Sequence, residues 1–250
     1  MQNIQYVTDY NTEMRKSLAD KAFFMDVIDA DVYVDFGCAD GTLLGYIKEQ
    51  KPNAICIGYD ISDQEIAIAK QNYNFQFFSN WNSMIARLEK FKNKKIAIIC
   101  NSVIHEVYAY GNKQSVDEFW HRLSNPVFNY VVIRDMALKT FDGNADKKDV
   151  RKLRRHADTA QLRDFENNWG DINEHKSFVH YLLKYRYKKN WAREVKEDYL
   201  PITLAEMIGR LNGTITHFDH YTLPFIKQTI KKDFNIDFDI ETHVKIIMVS

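Results

Sequence analysis

Several absences narrow what this sequence can be. Charge of either sign is not in excess: 34 Lys+Arg stand against 34 Asp+Glu, for a formal net charge of zero. Such a balance points to neither a nucleic-acid binder nor a membrane-surface protein on average, and leaves only local patches to argue from. No apolar run approaches the roughly 20 residues needed to cross a bilayer. The first residues, MQNIQYVTDYNTEMRK, are polar and lack the apolar centre of a secretion signal, so a cytoplasmic protein is expected. Cysteine is scarce. Cys38, Cys56 and Cys100 are odd in number and widely spaced, with no CxxC pair. Reduced packing thiols are expected from them, and neither a disulfide nor a zinc site. Internal repeats and low-complexity tracts are also missing.

What the chain has instead is alternation. With 250 residues and 45% hydrophobic content it is long enough for one large domain with a substantial core. Residues 12–28 have an amphipathic, helical pattern. β-rich runs at 32–36, 54–60, 75–79, 95–101 and 128–136 then alternate with helical stretches at 42–50, 62–72, 82–91 and 115–123. Ser62/Glu65 and Ser115/Glu118 have the spacing of capping boxes. The pattern breaks over 142–211, which is charged and mostly helical (near 146–156, 158–168, 173–188 and 190–198, then 203–211 behind Thr203/Glu206). Strands return at 214–221 and 243–250. The expectation is a doubly wound, mostly parallel α/β sheet of seven strands with helices on both faces, and a helical insertion at about 142–211 between strands five and six.

In such a sheet, ligands bind at the carboxyl ends of the strands, so the loop after the first strand is the privileged position. There the chain reads VYVDFGCADG. A dinucleotide fingerprint beginning at Gly37 needs glycine at 39 and 42, where the chain has Ala39 and Thr42. The Walker phosphate-binding pattern is absent as well. What remains is an acid, Asp35, then Gly37, Cys38, Ala39, Asp40 and Gly41. The glycines and the small alanine permit close backbone approach to a ligand. Asp35 and Asp40 suit a cationic amine and hydroxyls and would repel a phosphate. Asp60, in GYDIS, follows about twenty residues later, where an acid accepts hydrogen bonds from ribose. Ribose without phosphate, joined to a cationic amino-acid end, describes S-adenosylmethionine (SAM).

VDFGCADG, GYDIS, FFSNW and ICNSVIHEV, in that order over residues 32–107, resemble the class I SAM-dependent methyltransferases. The resemblance implies that residues 1–250 form one SAM-binding domain with a substrate-recognising insertion. It implies that Gly37 to Gly41 face the methionine part of SAM, with Asp35 near its amino group. Asp60, followed by Ile61, would bind the ribose, and Ser79, Asn80 and Trp81 the adenine. Asn101 would stand beside the cofactor at the end of strand four. Asn80 stands where the family often has Asp, and Ala39 where it often has Gly. The segment NSVI is not the [DN]-P-P-[YFW] of adenine-N6 enzymes.

Methyl transfer from a sulfonium is an in-line displacement, and a base is needed only for a protonated acceptor. His105 and Glu106 are the candidates for that base, unless they only open a helix. Asp135, after strand five, and Arg134 point to the same rim, where an ion pair with the insertion is the other reading. Tyr10 and Asn11 precede the first helix, at a place from which to close over the cofactor. His217 and Asp219 fall on one face of a strand and His220 on the other, so no metal site is expected there. Glu174, His175 and His180 lack a third ligand and read as ordinary polar residues.

The acceptor has to be chosen by the insertion, because the fold is shared by many chemistries. Lys147, Arg151, Arg154 and Arg155 fall on one broad helical face. Tyr185, Tyr187 and Trp191 interleave with Lys184, Arg186, Lys188 and Lys189. Basic residues among aromatics suit phosphates and stacked bases. RNA or another nucleic acid is therefore the expected acceptor, held by Arg151, Arg154, Arg155, Tyr185 and Arg186. A small molecule or a protein is the alternative. So is a non-catalytic SAM-binding module, a sensor or a partner subunit. Phe178, Leu182 and Leu183 would suit a dimer interface.

Overall fold

The computed structural model describes residues 18–250. The expected helix at 12–28 is reduced, within these residues, to α1 (Leu18–Lys21) and a 3-10 turn at Phe23–Asp26. Tyr10 and Asn11 lie outside the described residues.

Seven strands form one sheet in the order β3-β2-β1-β4-β5-β7-β6. β1 (Val32–Phe36), β2 (Ile55–Tyr59), β3 (Gln76–Phe78), β4 (Ile96–Asn101) and β5 (Tyr130–Met136) pair in parallel. β7 (His243–Val249) inserts antiparallel between β5 and β6 (Thr214–Tyr221). The strand order reverses between β1 and β4, so the crevice at their carboxyl ends is the switch point at which such sheets bind ligands.

Side-chain alternation builds a core on each face of the sheet. Val32, Val34 and Phe36 pack on one side with Ile96, Ile98, Val131 and Ile133. That side is covered by α4 (Trp81–Leu88), α6 (Lys113–Leu123) and α11 (Leu204–Gly209). Tyr33, Ala97, Ile99 and Val132 face the other way, under α2 (Thr42–Gln50) and α3 (Asp63–Asn72). All three cysteines are buried and free.

The insertion has its own core. α7 (Lys147–His156), α8 (Thr159–Trp169) and α9 (His175–Lys184) bury Leu153, Phe165, Val179 and Leu182 against α12 (Pro224–Phe234). Phe178, Leu182 and Leu183 lie in this core, between 0% and 3% exposed, so they are not available as a dimer surface. α12 is a helix that the sequence reading left out. Its signals are present: Pro224 at the first turn, Ile226, Ile230 and Phe234 four apart, and a left-handed Asn235 behind it.

Capping chemistry sets several boundaries. Thr203 and Glu206 make the full reciprocal box. Ser62 Oγ accepts from Glu65 N–H at 3.3 Å. The Ser115/Glu118 spacing does not form a box, because α6 begins earlier, where Asn112 Oδ1 accepts from Ser115 N–H at 2.9 Å. The expected helix at 190–198 shrinks to a 3-10 turn and the short α10 (Trp191–Glu194). Residues 195–199 then run irregularly toward α5 (Ile104–Tyr110), which follows β4.

Candidate active site

The loop between β1 and α2 is built from backbone conformations that favour glycine. Gly37 and Gly41 have φ of 78° and 81°, and Ala39 lies at 43°. A Cβ on Gly37 would stand 2.9 Å from Val103 Cγ2, so any side chain there would narrow the gap between the β1 and β4 loops. Gly37 and Cys38 N–H both donate to Tyr59 O, at 2.8 and 3.0 Å. Asp40 Oδ1 accepts from Thr42 N–H at 3.0 Å at the start of α2.

Asp60, the acid expected to meet a ribose, has partners within the chain. Its Oδ2 accepts from Ala39 N–H at 3.0 Å and its Oδ1 from Ser62 N–H at 2.9 Å. It is therefore also the strut that ties the glycine loop to β2. A carboxylate has about four lone-pair sites, so two remain for a ligand's hydroxyls. Ile61 beside it is 87% exposed, an apolar surface next to the acid.

Asp35 is buried at the carboxyl end of β1. Burial, with Asp60 and Asp40 adding and Lys21 opposing, pushes its carboxyl up to about 8. Asn101 donates through Nδ2 to Lys21 O at 3.2 Å, while its Oδ1 is buried without a partner among the described residues. A buried acid short of compensating charge and an orphaned amide oxygen are groups that a bound ammonium or hydroxyl would satisfy. Together with the glycine cradle and the strut acid, they fit SAM.

The expected adenine contacts are arranged differently. Ser79 and Asn80 are exposed. Asn80 Oδ1 caps α4, accepting from Ser83 N–H at 2.9 Å and Ser83 Oγ at 3.1 Å. Trp81 turns inward, packing on Phe36, Tyr59 and Phe128 with the Arg122 guanidinium over its ring.

At the ends of β4 and β5 the structure assembles a second cluster. Asp135 is buried and accepts from Ile104 N–H at 2.7 Å and Met136 N–H at 2.8 Å. Its Oδ1 also lies 2.8 Å from His105 Nδ1. Burial would push the His105 imidazole down, but the Asp135 carboxylate outweighs it and raises the ring above the usual histidine range. Asp135 is correspondingly held low, against its own burial. Glu106, next along α5, remains 45% exposed at its side chain. Burial and the nearby Glu197 raise its carboxyl, with His105 and Arg193 opposing. Arg134 does not reach the insertion. Its Nε donates to Asp20 Oδ2 at 2.9 Å, and Asp20 also holds Tyr221 and Lys245.

The irregular 195–199 segment, most of it expected as helix and without a functional role, closes this cluster. Tyr199 packs edge-on against His105 with ring centroids 5.4 Å apart. The buried Glu197 accepts from Tyr110 Oη and from Arg193 Nε, and Arg193 also stands 3.6 Å from Glu106. Lys184, fully buried, ties the segment to α9 by donating to the carbonyls of Glu194 and Glu197. Burial pushes its amine down to about 7. Charge read along the sequence as part of a basic patch is thus internal.

The other basic candidates scatter. Arg151 and Arg155 are exposed on α7, while Arg154 is held by Glu166 and Asp171 at 2.7 and 2.9 Å. Tyr185 is buried, and its hydroxyl donates to Asp233 at 2.8 Å. Arg186 is different: its guanidinium lies 5.0 Å over the Phe225 ring and 5.9 Å over that of Tyr187. Both rings are about half exposed. Tyr187 in turn meets Tyr199 edge-on at 6.4 Å. Contacts therefore run from His105 through Tyr199 to an exposed group of two aromatics and an arginine. His217 packs on Phe23 and His220 Nε2 lies 3.0 Å from Ala137 O.

Residues 29–148 match a family model described as a methyltransferase domain. No curated protein matches the chain. Among solved structures, the chain is similar to the plantazolicin methyltransferase BamL, in complex with a triazolic desmethylPZN analog and SAH. Identity is 13%, over 99% of this chain and 90% of that one, with a TM-score of 0.48. It is similar to the methyltransferase domain of bacterial CtHen1-C at 15% identity, over 93% and 96% of the two chains, with a TM-score of 0.47. A SAM-dependent methyltransferase from Archaeoglobus fulgidus is 13% identical over 98% and 100%, with a TM-score of 0.48.

Proposed function

We propose that this chain, a SAM-dependent methyltransferase of the class I fold, methylates a nucleic acid, with single-stranded RNA the favoured substrate. The observation that carries the acceptor is the Arg186 group. Two half-exposed rings, Tyr187 and Phe225, flank one guanidinium and connect through Tyr199 to His105. Exposed rings beside a cation suit unstacked bases and the phosphates between them. Arg151 and Arg155 add exposed positive charge on α7.

Bound SAM supplies a methyl group activated by its sulfonium. The Gly37–Gly41 loop, Asp35, Asp60 and Asn101 hold it, with Ile61 against its base. Asp135 fixes the His105 ring through Nδ1, which leaves Nε2 as the nitrogen that faces the acceptor. Glu106 takes the acceptor's proton: it is partly exposed, and its raised carboxyl pKa makes it a better base than an ordinary surface glutamate. Tyr199 and the 195–199 segment cover the site and limit water, which strengthens each of these interactions. The insertion at 142–211 and the sheet act as one domain, the sheet holding the cofactor and the insertion the acceptor.

Transfer from radiolabelled SAM into fractionated cell extract tests this reading, with Asp60→Ala as the binding control and Arg186→Ala as the acceptor control. The expected result is label in a nuclease-sensitive fraction, lost in Asp60→Ala and reduced about tenfold in Arg186→Ala at limiting acceptor. Label confined to protein or small molecules overturns the nucleic-acid reading. Tight cofactor binding with no transfer anywhere points to a sensor or partner subunit instead.

A further inference from the structure

His217, Asp219 and His220 share a short stretch of β6, the last strand of the sheet, which pairs with β7 along one side and forms the sheet's edge. His220 Nε2 lies 3.0 Å from Ala137 O, and Tyr221 Oη donates to Asp20, so both of these side chains are committed within the chain. The side chains of His217 and Asp219 make no hydrogen bond or ion pair among the described residues. Lys245, across the ladder from Asp219, is taken by Asp20 at 2.7 Å. Between His217 and Asp219 stands Phe218, opposite Ile246 and 47% exposed. An eight-residue edge with a bare aromatic at its middle is a template for another strand.

The residues of that edge select both a partner and a register. A two-fold axis normal to a sheet keeps each side chain on its own face. Directly opposed residues share a face, so the axis has to pass between a residue and its own copy. Centring on Asp219 sets carboxylate against carboxylate, and centring on His217 sets imidazole against imidazole. Centring on Phe218 sets ring against ring and places His217 opposite Asp219 on both sides of the axis. An imidazole N–H donates to a carboxylate in either protonation state, so both of these pairs attract. Thr216 is the extra residue of a bulge against β7, and residues 217–221 beyond it pair with β7 in regular register.

We propose that two copies of this chain pair antiparallel along β6 about an axis at Phe218, with His217 of each facing Asp219 of the partner subunit. One sheet then runs through both copies. The contact is isologous, so each favourable pair counts twice. In strand order β5 and β7 separate this edge from the crevice between β1 and β4, so the pairing requires nothing of the cofactor or the acceptor.

The test is sedimentation velocity of the full chain over a concentration series from about 1 to 200 µM. A dimer that forms with rising concentration is expected. His217→Asp faces carboxylate with carboxylate on both sides of the axis, and should weaken the dimer about tenfold or more. Adding Asp219→Lys to that variant brings opposite charges together again, and should return the affinity to within about threefold of the original. Phe218→Cys should cross-link to its own copy under mild oxidation, because the residue on the axis meets itself at disulfide distance. Asp219→Cys, facing His217 of the partner subunit, should not. The native cysteines are buried and add no background. A dimer indifferent to His217→Asp, or a loss that Asp219→Lys does not reverse, would overturn the pairing. So would cross-linking at Asp219→Cys as readily as at Phe218→Cys. A pure chain that stays monomeric throughout would also overturn it, and is the result expected if a strand of another protein fills this edge.

Discussion

Asp35 offers the sharpest test of the cofactor site. Its carboxyl stands at about 8 in the free protein, first because it is buried and then because Asp60 and Asp40 are near, with Lys21 opposing. A ligand ammonium placed beside it stabilises the carboxylate and lowers that value. Binding then expels a proton at any pH between the bound-state value and about 8. At pH 7 a group with pKa 8 is about 90% protonated, so roughly one proton should leave per ligand bound. The affinity for S-adenosylhomocysteine should rise about tenfold per pH unit from 6 toward 8, or about 1.4 kcal/mol per unit. Above about pH 8 the affinity should level off, because Asp35 is already ionised there. Calorimetry in phosphate and in Tris reads the proton directly, because the two buffers differ in ionisation enthalpy. Asp35→Asn should flatten the pH profile and cost about 10- to 100-fold in affinity. Equal enthalpies in both buffers, with affinity level from pH 6 to 8, would refute the placement of an ammonium at Asp35.

Three further outcomes are expected. Glu106→Gln should lower kcat by about 10²-fold or more, with the affinity for S-adenosylhomocysteine unchanged within about twofold; an unchanged single-turnover rate would remove Glu106 from the chemistry. The His105–Asp135 pair should stabilise the fold between the lowered Asp135 pKa and the raised His105 pKa. That contribution is lost as pH falls through the first or rises through the second, and urea melts across pH should lose the dependence in Asp135→Asn, at a cost of about 3 kcal/mol. Gly58→Ala would place a Cβ 2.4 Å from Phe77 Cδ1 and 2.7 Å from Cys38 Sγ. It should cost about 1–3 kcal/mol by chemical denaturation and weaken cofactor binding as the loop shifts.

The candidate cofactor loop was legible as a loop because it is local. The fingerprint at Asp35, Gly37 and Gly41 and the acid at Asp60 sit directly after their strands, and a strand end fixes where the next few residues go. Even there, Asp60's task as the strut for Ala39 N–H needed the β1–β2 register to be seen. Asn80 and Trp81 do follow β3 along the chain, but their side chains went to a helix cap and to the core.

The cluster proposed to meet the acceptor depends on contacts between segments far apart in the chain. Alternation of apolar residues determined the seven strands, and the glycine loop determined the crevice, because both follow from backbone geometry within a few residues. Which lysine is a surface charge and which is buried does not follow that way. Lys184 and Arg186 are two residues apart in one basic run, yet one is sealed behind the carbonyls of Glu194 and Glu197 and the other stands beside exposed aromatic rings. His105 gained Asp135 as a partner from thirty residues away, and Tyr199 from more than ninety. Local periodicity therefore decided the scaffold, while tertiary packing decided the environment, and with it the charge state, of each group on that scaffold.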